Sequence, residues 1–118
     1  MSEPVPRTSL HIRVITHTGV VIGWGRADLL NFIAQTGSIA AAGRKMGMSY
    51  KRAWALVEAL NVAFETPLVE AAKGGAGGGG AHLTPLGVEV LDCYREIETE
   101  AAKAGANALA RIAARLKA

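Results

Sequence analysis

The chain is poor in cysteine and has no long apolar run, and both shortages restrict what it can be. Its single cysteine, Cys93, excludes an intramolecular disulfide and suits a reducing compartment. No apolar stretch approaches the roughly 20 residues that a helix needs to cross a bilayer. The first seven residues lack the apolar core of a signal peptide. We therefore expect a cytoplasmic protein.

The chain also carries little of the chemistry that enzymes and metal sites use. Its three histidines, His11, His17 and His82, lie far apart in the sequence, with no cysteine or carboxylate at the spacing of metal ligands. Cys93 has no evident histidine partner, which gives weak support for a nucleophile. We therefore predict no enzyme activity, and we assign no catalytic residue, no metal ligand and no cofactor.

Composition favours a small globular domain, and the placement of charge says more than its sum. Half of the 118 residues are apolar, which fits one domain with room for an appended helix. The formal net charge of +3 is too small to indicate nucleic acid by itself. From Thr84 onward five basic residues balance five acidic ones, so the excess lies earlier, where Arg44-Lys45 and Lys51-Arg52 form two basic pairs. A solvated helix face is the alternative interpretation of such pairs.

The middle of the chain predicts two helices joined by a tight turn. Ser38 is a good N-cap for a short helix that ends near Met46, because its hydroxyl can accept from a free backbone amide. Gly47 supplies a sharp turn, and Ser49 caps a further helix that continues to about Phe64. Two helices joined by a short, glycine-containing turn form a helix-turn-helix, which is a DNA-binding arrangement.

The second helix of this pair has an apolar side and a basic side. On a wheel of 3.6 residues per turn, Lys51, Arg52 and Ala55 point away from the apolar face, at the N-terminal end of the helix. The N-terminal residues of such a helix meet base edges in the major groove, so Lys51 and Arg52 are predicted DNA contacts. Tyr50 can also direct its hydroxyl to a phosphate. The face predicted to pack in the core consists of Tyr50, Ala53, Trp54, Val57, Leu60 and Phe64.

A short strand, a glycine run and a returning strand follow over residues 67–84, a pattern that predicts a wing. Six of the seven residues at 74–80 are glycine. Glycine backbone can lie close to a sugar-phosphate surface and offer unobstructed N–H donors, here with Lys73 and His82 on either side. A plain flexible loop is the alternative. A nucleotide-binding loop is disfavoured, because the run lacks the Gly-Lys-Ser/Thr ending of a P-loop.

The two ends of the chain predict a β-hairpin and a long helix. Alternating apolar residues predict a hairpin over about residues 9–22, and helical spacing predicts a helix over about residues 26–36 that Gly37 ends. Thr84-Pro85 starts a C-terminal helix. Its apolar positions recur every three or four residues and form a stripe that is longer than so small a domain can cover. We therefore predict that the helix pairs with a second copy. The predicted dimerisation residues are Tyr94, Ile97, Ala101, Ala104, Ala108 and Ile112.

These residues resemble a known family. Residues 37–43 (Gly-Ser-Ile-Ala-Ala-Ala-Gly) and 46–54 (Met-Gly-Met-Ser-Tyr-Lys-x-Ala-Trp) are similar to the N-terminal winged-helix domain of molybdate-responsive regulators of the ModE type, itself related to the LysR-type helix-turn-helix. The similarity continues through residues 67–69, the glycine run and residues 83–87. It covers most of the chain, from about residue 20 to about residue 110.

We therefore expect a mainly α fold with a small β component, a winged helix-turn-helix with a long C-terminal dimerisation helix. Residues 1–84 would form the DNA-binding domain and residues 85–118 the dimerisation helix. The resemblance implies a homodimeric, sequence-specific transcriptional regulator, with residues 49–52 at the start of the recognition helix and residues 73–82 as the wing. The predicted DNA contacts are Ser38, Arg44, Lys45, Ser49, Tyr50, Lys51, Arg52, Lys73, Gly74, Gly75, Gly77, Gly78 and His82.

The resemblance also leaves differences and alternatives. Full-length regulators of this family carry C-terminal oxyanion-binding domains that sense molybdate, and no segment of this chain corresponds to them, so we expect a stand-alone module without a small-molecule effector. A winged-helix adaptor for protein contact and a non-specific architectural DNA-binding protein stay open, as does a dimer that binds an oxyanion in its glycine loops. The two basic pairs favour a DNA-binding function, because DNA binding requires cations that neutralise phosphates. A protein adaptor would not need these pairs.

Overall fold

The computed structural model describes residues 7–75 and 78–118, and it confirms a mainly α fold with a small β component. Two separate antiparallel hairpins accompany four helices. In chain order the elements are β1 (Val14–Ile15), β2 (Val21–Ile22), α1 (Trp24–Thr36), α2 (Ile39–Lys45), α3 (Tyr50–Ala63), β3 (Val69–Gly75), β4 (Gly78–Leu83) and α4 (Pro85–Ala114).

The N-terminal hairpin is present but shorter than its apolar alternation predicts. Val14 pairs with Ile22 and Ile15 with Val21, and nothing before Val14 belongs to a strand in the described part of the chain. Each strand has a single neighbour, and alternation alone does not supply a hydrogen-bonding partner for residues further out. Residues before Val14 would have to pair with residues after Ile22, but α1 begins at Trp24, two residues before the predicted start, so no partner strand is available to them.

The helix-turn-helix forms as its caps and turn predict. The Ser38 hydroxyl accepts from the Ala41 amide at 3.1 Å, and the Ser49 hydroxyl accepts from the Arg52 amide at 3.1 Å. Gly47 adopts a left-handed conformation with φ of +70°, which glycine tolerates at no steric cost. The two helices cross closely at Gly43: a Cβ atom added there would lie only 3.1 Å from the Ala53 Cβ. Glycine permits this approach because it has no Cβ atom.

One hydrophobic core joins α1, α3, the base of the second hairpin and the first turns of α4. Thr84 ties these parts together, since its hydroxyl donates to the Pro67 carbonyl at 2.8 Å and accepts from the Gly87 amide at 3.0 Å. The first turns of α4 therefore pack into the same core as the residues that precede it. The buried apolar residues are Ile22, Ala27, Leu29, Leu30, Ile33, Ala42, Ala53, Val57, Leu60, Leu68, Val69, Ala81, Leu91 and Tyr94.

The orientation of α4 is fixed from two sides. The Tyr94 hydroxyl donates to the Ile12 carbonyl at 2.8 Å, and burial raises the pKa of this hydroxyl above its ordinary value, so it stays a donor. On the other side the Arg95 guanidinium bridges to Asp28 of α1 at 2.7 Å and to Glu98 at 2.9 Å. These contacts at Tyr94 and Arg95 fix the direction in which the rest of α4 extends away from the helix-turn-helix.

No helix of the described residues is long and apolar enough to span a bilayer.

Candidate nucleic-acid interface

The start of α3 presents two cations to solvent. Lys51 and Arg52 are both exposed, and the first turn of the helix contains no acidic residue. The helix N-terminus adds a partial positive charge from its unpaired amides, so cations and dipole reinforce each other toward an anion. Ala55, one turn on, is exposed as well and leaves the surface between them flat. This end of α3 therefore has the charge and the shape to approach a DNA groove.

The prediction that Tyr50 and Trp54 pack in the core is wrong. Tyr50 is 58% exposed and Trp54 is 47% exposed, while Ala53, Val57 and Leu60 form the buried face of α3. At 100° per residue, Ala53, Val57 and Leu60 point in nearly the same direction, and Trp54 points to one side of it. Trp54 therefore lies at the margin of the buried face. A helical wheel gives direction only, and it does not tell how far the core extends along the helix. Two large aromatic rings are thus presented to solvent beside the cations.

The α2 residues among the predicted DNA contacts lie in different environments. The Ser38 hydroxyl is engaged as the N-cap of α2. Arg44 and Lys45 are exposed at the C-terminal end of α2, and the Lys45 ammonium lies 5.6 Å from the centre of the Phe32 ring of α1. A cation over an aromatic face is attracted by the ring, so Lys45 is directed toward α1.

The hairpin of β3 and β4 forms a wing whose glycines belong largely to the strands. Pairing runs from Val69 with Leu83 to Gly75 with Gly78, with an irregularity between Ala72 and Gly75. The strands are therefore longer than the sequence pattern predicts, and the tip between them is shorter. Among the predicted contacts, Lys73, Gly74 and Gly75 lie in β3 and Gly78 lies in β4, while Gly77 is outside the described residues.

His82, the remaining predicted wing contact, faces an acidic neighbour across the hairpin. His82 and Glu70 are register partners, and the His82 Nε2 lies 3.6 Å from the Glu70 Oε2. Both side chains are more than half exposed, which keeps such a pair weak. Glu70 therefore offsets part of any attraction that His82 exerts on a phosphate.

Asn61 fixes the wing to α3, a role that the sequence pattern did not reveal. Its side-chain oxygen accepts from the Leu68 amide at 2.9 Å and the Val69 amide at 3.0 Å, and its side-chain nitrogen donates to the Val69 carbonyl at 2.9 Å. The wing is also bonded to the α1–α2 junction, since the Ala81 amide donates to the Gly37 carbonyl at 2.8 Å. The base of the wing is thus hydrogen-bonded both to α3 and to the α1–α2 junction.

A groove with a volume of about 580 Å³ lies between α3 and the wing, with Ile39 and Ala40 at the start of α2 also lining it. Its α3 side carries Tyr50, Trp54, Glu58 and Val62, which follow one another at intervals of four residues. Ala71 of β3 is part of the opposite side. The walls are mainly apolar, and Glu58 is the one charged residue among those that line it in the described part of the chain.

The exposed length of α4 carries most of the predicted dimerisation residues. Ala104 and Ala108 are exposed, Ile97 is 43% exposed and Ile112 is 57% exposed. Ala101 is partly buried. Tyr94 differs, because it is only 2% exposed and is held in the core of its own chain. The structure therefore removes Tyr94 from the surface that a partner could reach.

The described residues bring together no group of three or more histidine, cysteine or carboxylate side chains that could hold a metal ion. Cys93 is exposed and unpaired with another cysteine. The described side chains therefore add no metal-binding cluster to the surface made by α3 and the wing.

Comparison with known proteins places this chain in a family. Residues 26–88 match the family described as bacterial regulatory helix-turn-helix protein, lysR family. The molybdenum-pterin-binding protein MopB of Rhodobacter capsulatus is 48% identical over 90 residues, which are 76% of this chain and 33% of MopB. The DNA-binding transcriptional dual regulator ModE of Escherichia coli K12 is 45% identical over 69 residues, 58% of this chain and 26% of ModE. The chain thus spans about a third or less of these relatives.

A solved structure has a similar fold. The protein chain of a CbnR_DBD–DNA complex superimposes with a TM-score of 0.57 at 25% sequence identity. The match covers 77% of this chain and 97% of that one.

Proposed function

Since the chain belongs to the LysR-type family of bacterial regulatory helix-turn-helix proteins, we propose that it is the DNA-binding part of a transcriptional regulator and that it acts as a dimer in the cytoplasm. In this proposal α3 enters the major groove of a specific site, and the wing lies on the adjacent backbone or minor groove. We assign this part of the chain no catalytic activity and no small-molecule effector.

The exposed start of α3 carries the proposal. Lys51 and Arg52 stand at the end of the helix that a helix-turn-helix directs into the major groove, with a favourable helix dipole and no acidic residue in the first turn. Arginine can donate two hydrogen bonds to guanine, and lysine suits guanine or a phosphate. The hydrogen bonds from Asn61 hold the base of the wing beside α3, which supports both elements engaging the same duplex.

Arg52→Ala tests whether this end of α3 reads sequence. We expect the variant to bind the duplex that the protein selects from a random pool more weakly by about 1–3 kcal/mol, with a smaller loss on unselected DNA. The matched control is Arg13→Ala, which removes the same charge from an exposed position in the N-terminal hairpin region. Equal losses on selected and unselected DNA would make Arg52 a phosphate contact. Equal losses in both variants would show only a general charge effect and would favour a non-specific architectural protein.

The distribution of charge along α4 supports a dimer in which two such helices run antiparallel. Within α4, residues 85–100 hold five acidic residues and one basic residue, whereas residues 101–114 hold two basic residues and no acidic one, and two further basic residues, Arg115 and Lys117, follow the helix. A parallel pair would place like charges beside each other, and an antiparallel pair places the acidic half of one helix beside the basic half of the other. The apolar stripe of α4 has the two-fold symmetry that an antiparallel pair requires. Ile97 with Ile112, and Ala101 with Ala108, lie equally far from the Ala104–Gly105 peptide bond.

Disulfide trapping tests this orientation. In a Cys93→Ala background, we expect Ala101→Cys and Ala108→Cys proteins to cross-link when they are mixed, because these positions face each other in the antiparallel pair and disulfides need Cα atoms within about 7 Å. Each variant alone is the control and stays uncross-linked. Cross-linking of either variant alone, without the mixed product, would mean a parallel pair.

A further inference from the structure

The groove between α3 and the wing has chemistry that the helix-turn-helix alone does not require. Tyr50 and Trp54 expose 58% and 47% of their surfaces at one end of it, and Val62, 78% exposed, lies at the other end. Trp54 and Glu58 are not among the DNA contacts considered so far. Large exposed aromatic side chains in a concave surface mark a place where another molecule is bound.

The position of the groove indicates which molecule that is. On the proposed function, α3 occupies the major groove of the duplex and the wing lies on the adjoining backbone or minor groove. One sugar-phosphate strand separates the major groove from the minor groove, so with the wing at the minor groove this strand passes between α3 and the wing. The protein surface between these two elements is the groove of about 580 Å³. It is therefore continuous with the two surfaces that contact DNA.

The side chains in the groove suit a sugar-phosphate strand at one end and repel it at the other. The Tyr50 hydroxyl and the Trp54 indole N–H are hydrogen-bond donors, and both belong to residue types that present a polar tip on an apolar body. The apolar ring can lie against deoxyribose while the polar tip donates to a phosphate oxygen. Glu58, one turn further along α3, carries a negative charge that disfavours phosphate.

We propose that Trp54, together with Tyr50, holds one sugar-phosphate strand of the DNA in this groove, and that Glu58 limits how far along the groove the strand runs. This inference rests on the proposed function. Trp54 positions the duplex relative to α3 and carries no sequence information, because its partner is the backbone that all sequences share. Glu58 weakens binding to any duplex, and it thereby fixes the place at which the strand leaves the groove.

Two conservative variants test the proposal. Trp54→Phe keeps an aromatic ring and removes the N–H donor, and we expect it to weaken binding about threefold to tenfold on selected and random duplexes alike. Glu58→Gln removes the charge at nearly constant shape, and we expect it to strengthen binding about twofold or more on both duplexes. The matched control is Trp24→Phe, which changes the only other tryptophan of the chain, 49% exposed in α1, and leaves DNA binding unaltered.

A second measurement keeps the proposal falsifiable if a variant folds poorly. In the Trp24→Phe protein, Trp54 is the sole indole, and DNA is expected to change its fluorescence. Unchanged fluorescence, unchanged affinity of a folded Trp54→Phe protein, or weaker binding by Glu58→Gln would each overturn the proposal. An altered ratio of selected to random binding in Trp54→Phe would make Trp54 a base contact and overturn it as well. Failure of the unmodified protein to bind DNA at all would instead remove the proposed function.

Discussion

Replacing Gly87 with alanine is expected to lower the free energy of unfolding by about 3 kcal/mol. A Cβ atom at this position of α4 would lie 2.1 Å from the Leu68 carbonyl oxygen and 3.0 Å from the Leu68 carbonyl carbon. That carbonyl cannot move freely, because it accepts from the Thr84 amide at 2.9 Å. The Thr84 hydroxyl in turn holds the Gly87 amide and the Pro67 carbonyl. Relief of the clash must therefore break the junction that joins α4 to the wing.

Urea unfolding of Gly87→Ala beside the unmodified protein measures this effect. Gly25→Ala is the matched control, since Gly25 also lies near the start of a helix, but no atom lies within 4 Å of a Cβ added there. The control is expected to unfold within about 1 kcal/mol of the unmodified protein, and in the stabilising direction, because alanine favours helices. Equal stability of Gly87→Ala and Gly25→Ala would contradict the close approach of α4 to Leu68.

The double variant Ala104→Glu with Ala108→Glu is expected to be monomeric and to bind a two-fold symmetric DNA site about 100-fold or more weakly. Both alanines are exposed on the α4 stripe, where the proposed partner helix packs, and a carboxylate buried there without a partner is costly. A monomer contacts one half-site at a time, so it loses the effective concentration that links two recognition helices. Sedimentation measures the mass, and titration of the symmetric duplex measures the affinity.

The opposite face of α4 supplies the control for that variant. Ala106→Glu with Ala110→Glu adds the same charge to the same helix at two exposed positions that point away from the stripe. This control is expected to stay dimeric and to bind the symmetric site nearly as well as the unmodified protein. A dimeric Ala104→Glu, Ala108→Glu protein would place the dimer interface elsewhere. Loss of the dimer in both variants would mean that charge on α4, rather than its stripe, decides pairing.

The parts of the fold that local chemistry dictates were predictable from the sequence. Ser38, Ser49 and Thr84 each act as the N-cap of the helix that they precede, because capping depends on a hydroxyl within three residues of a free amide. Gly37 and Gly47 adopt the left-handed conformations that end one helix and turn between two others. These five residues lay out the helix-turn-helix and the start of α4 without reference to distant parts of the chain.

Features that depend on distant contacts were not predictable in the same way. The exposure of Tyr50 and Trp54 follows from where the core stops along α3. Tyr94 is buried in the core, and its hydroxyl is satisfied by the carbonyl of Ile12, 82 residues away in sequence. The bonds from Asn61 to the base of the wing likewise join α3 to residues seven and eight positions on. Composition and helical periodicity carry no information about such partners. For this reason the candidate groove emerged only from the folded arrangement.

Binding of the unmodified protein to DNA shows whether it is a sequence-specific regulator. The DNA upstream of its own gene and a random duplex of equal length are each titrated at two salt concentrations. We expect tighter binding to the upstream fragment, and we expect this preference to persist at the higher salt, because base contacts depend less on counterion release than phosphate contacts do. Weak and equal binding to both duplexes that vanishes at the higher salt would contradict a sequence-specific regulator.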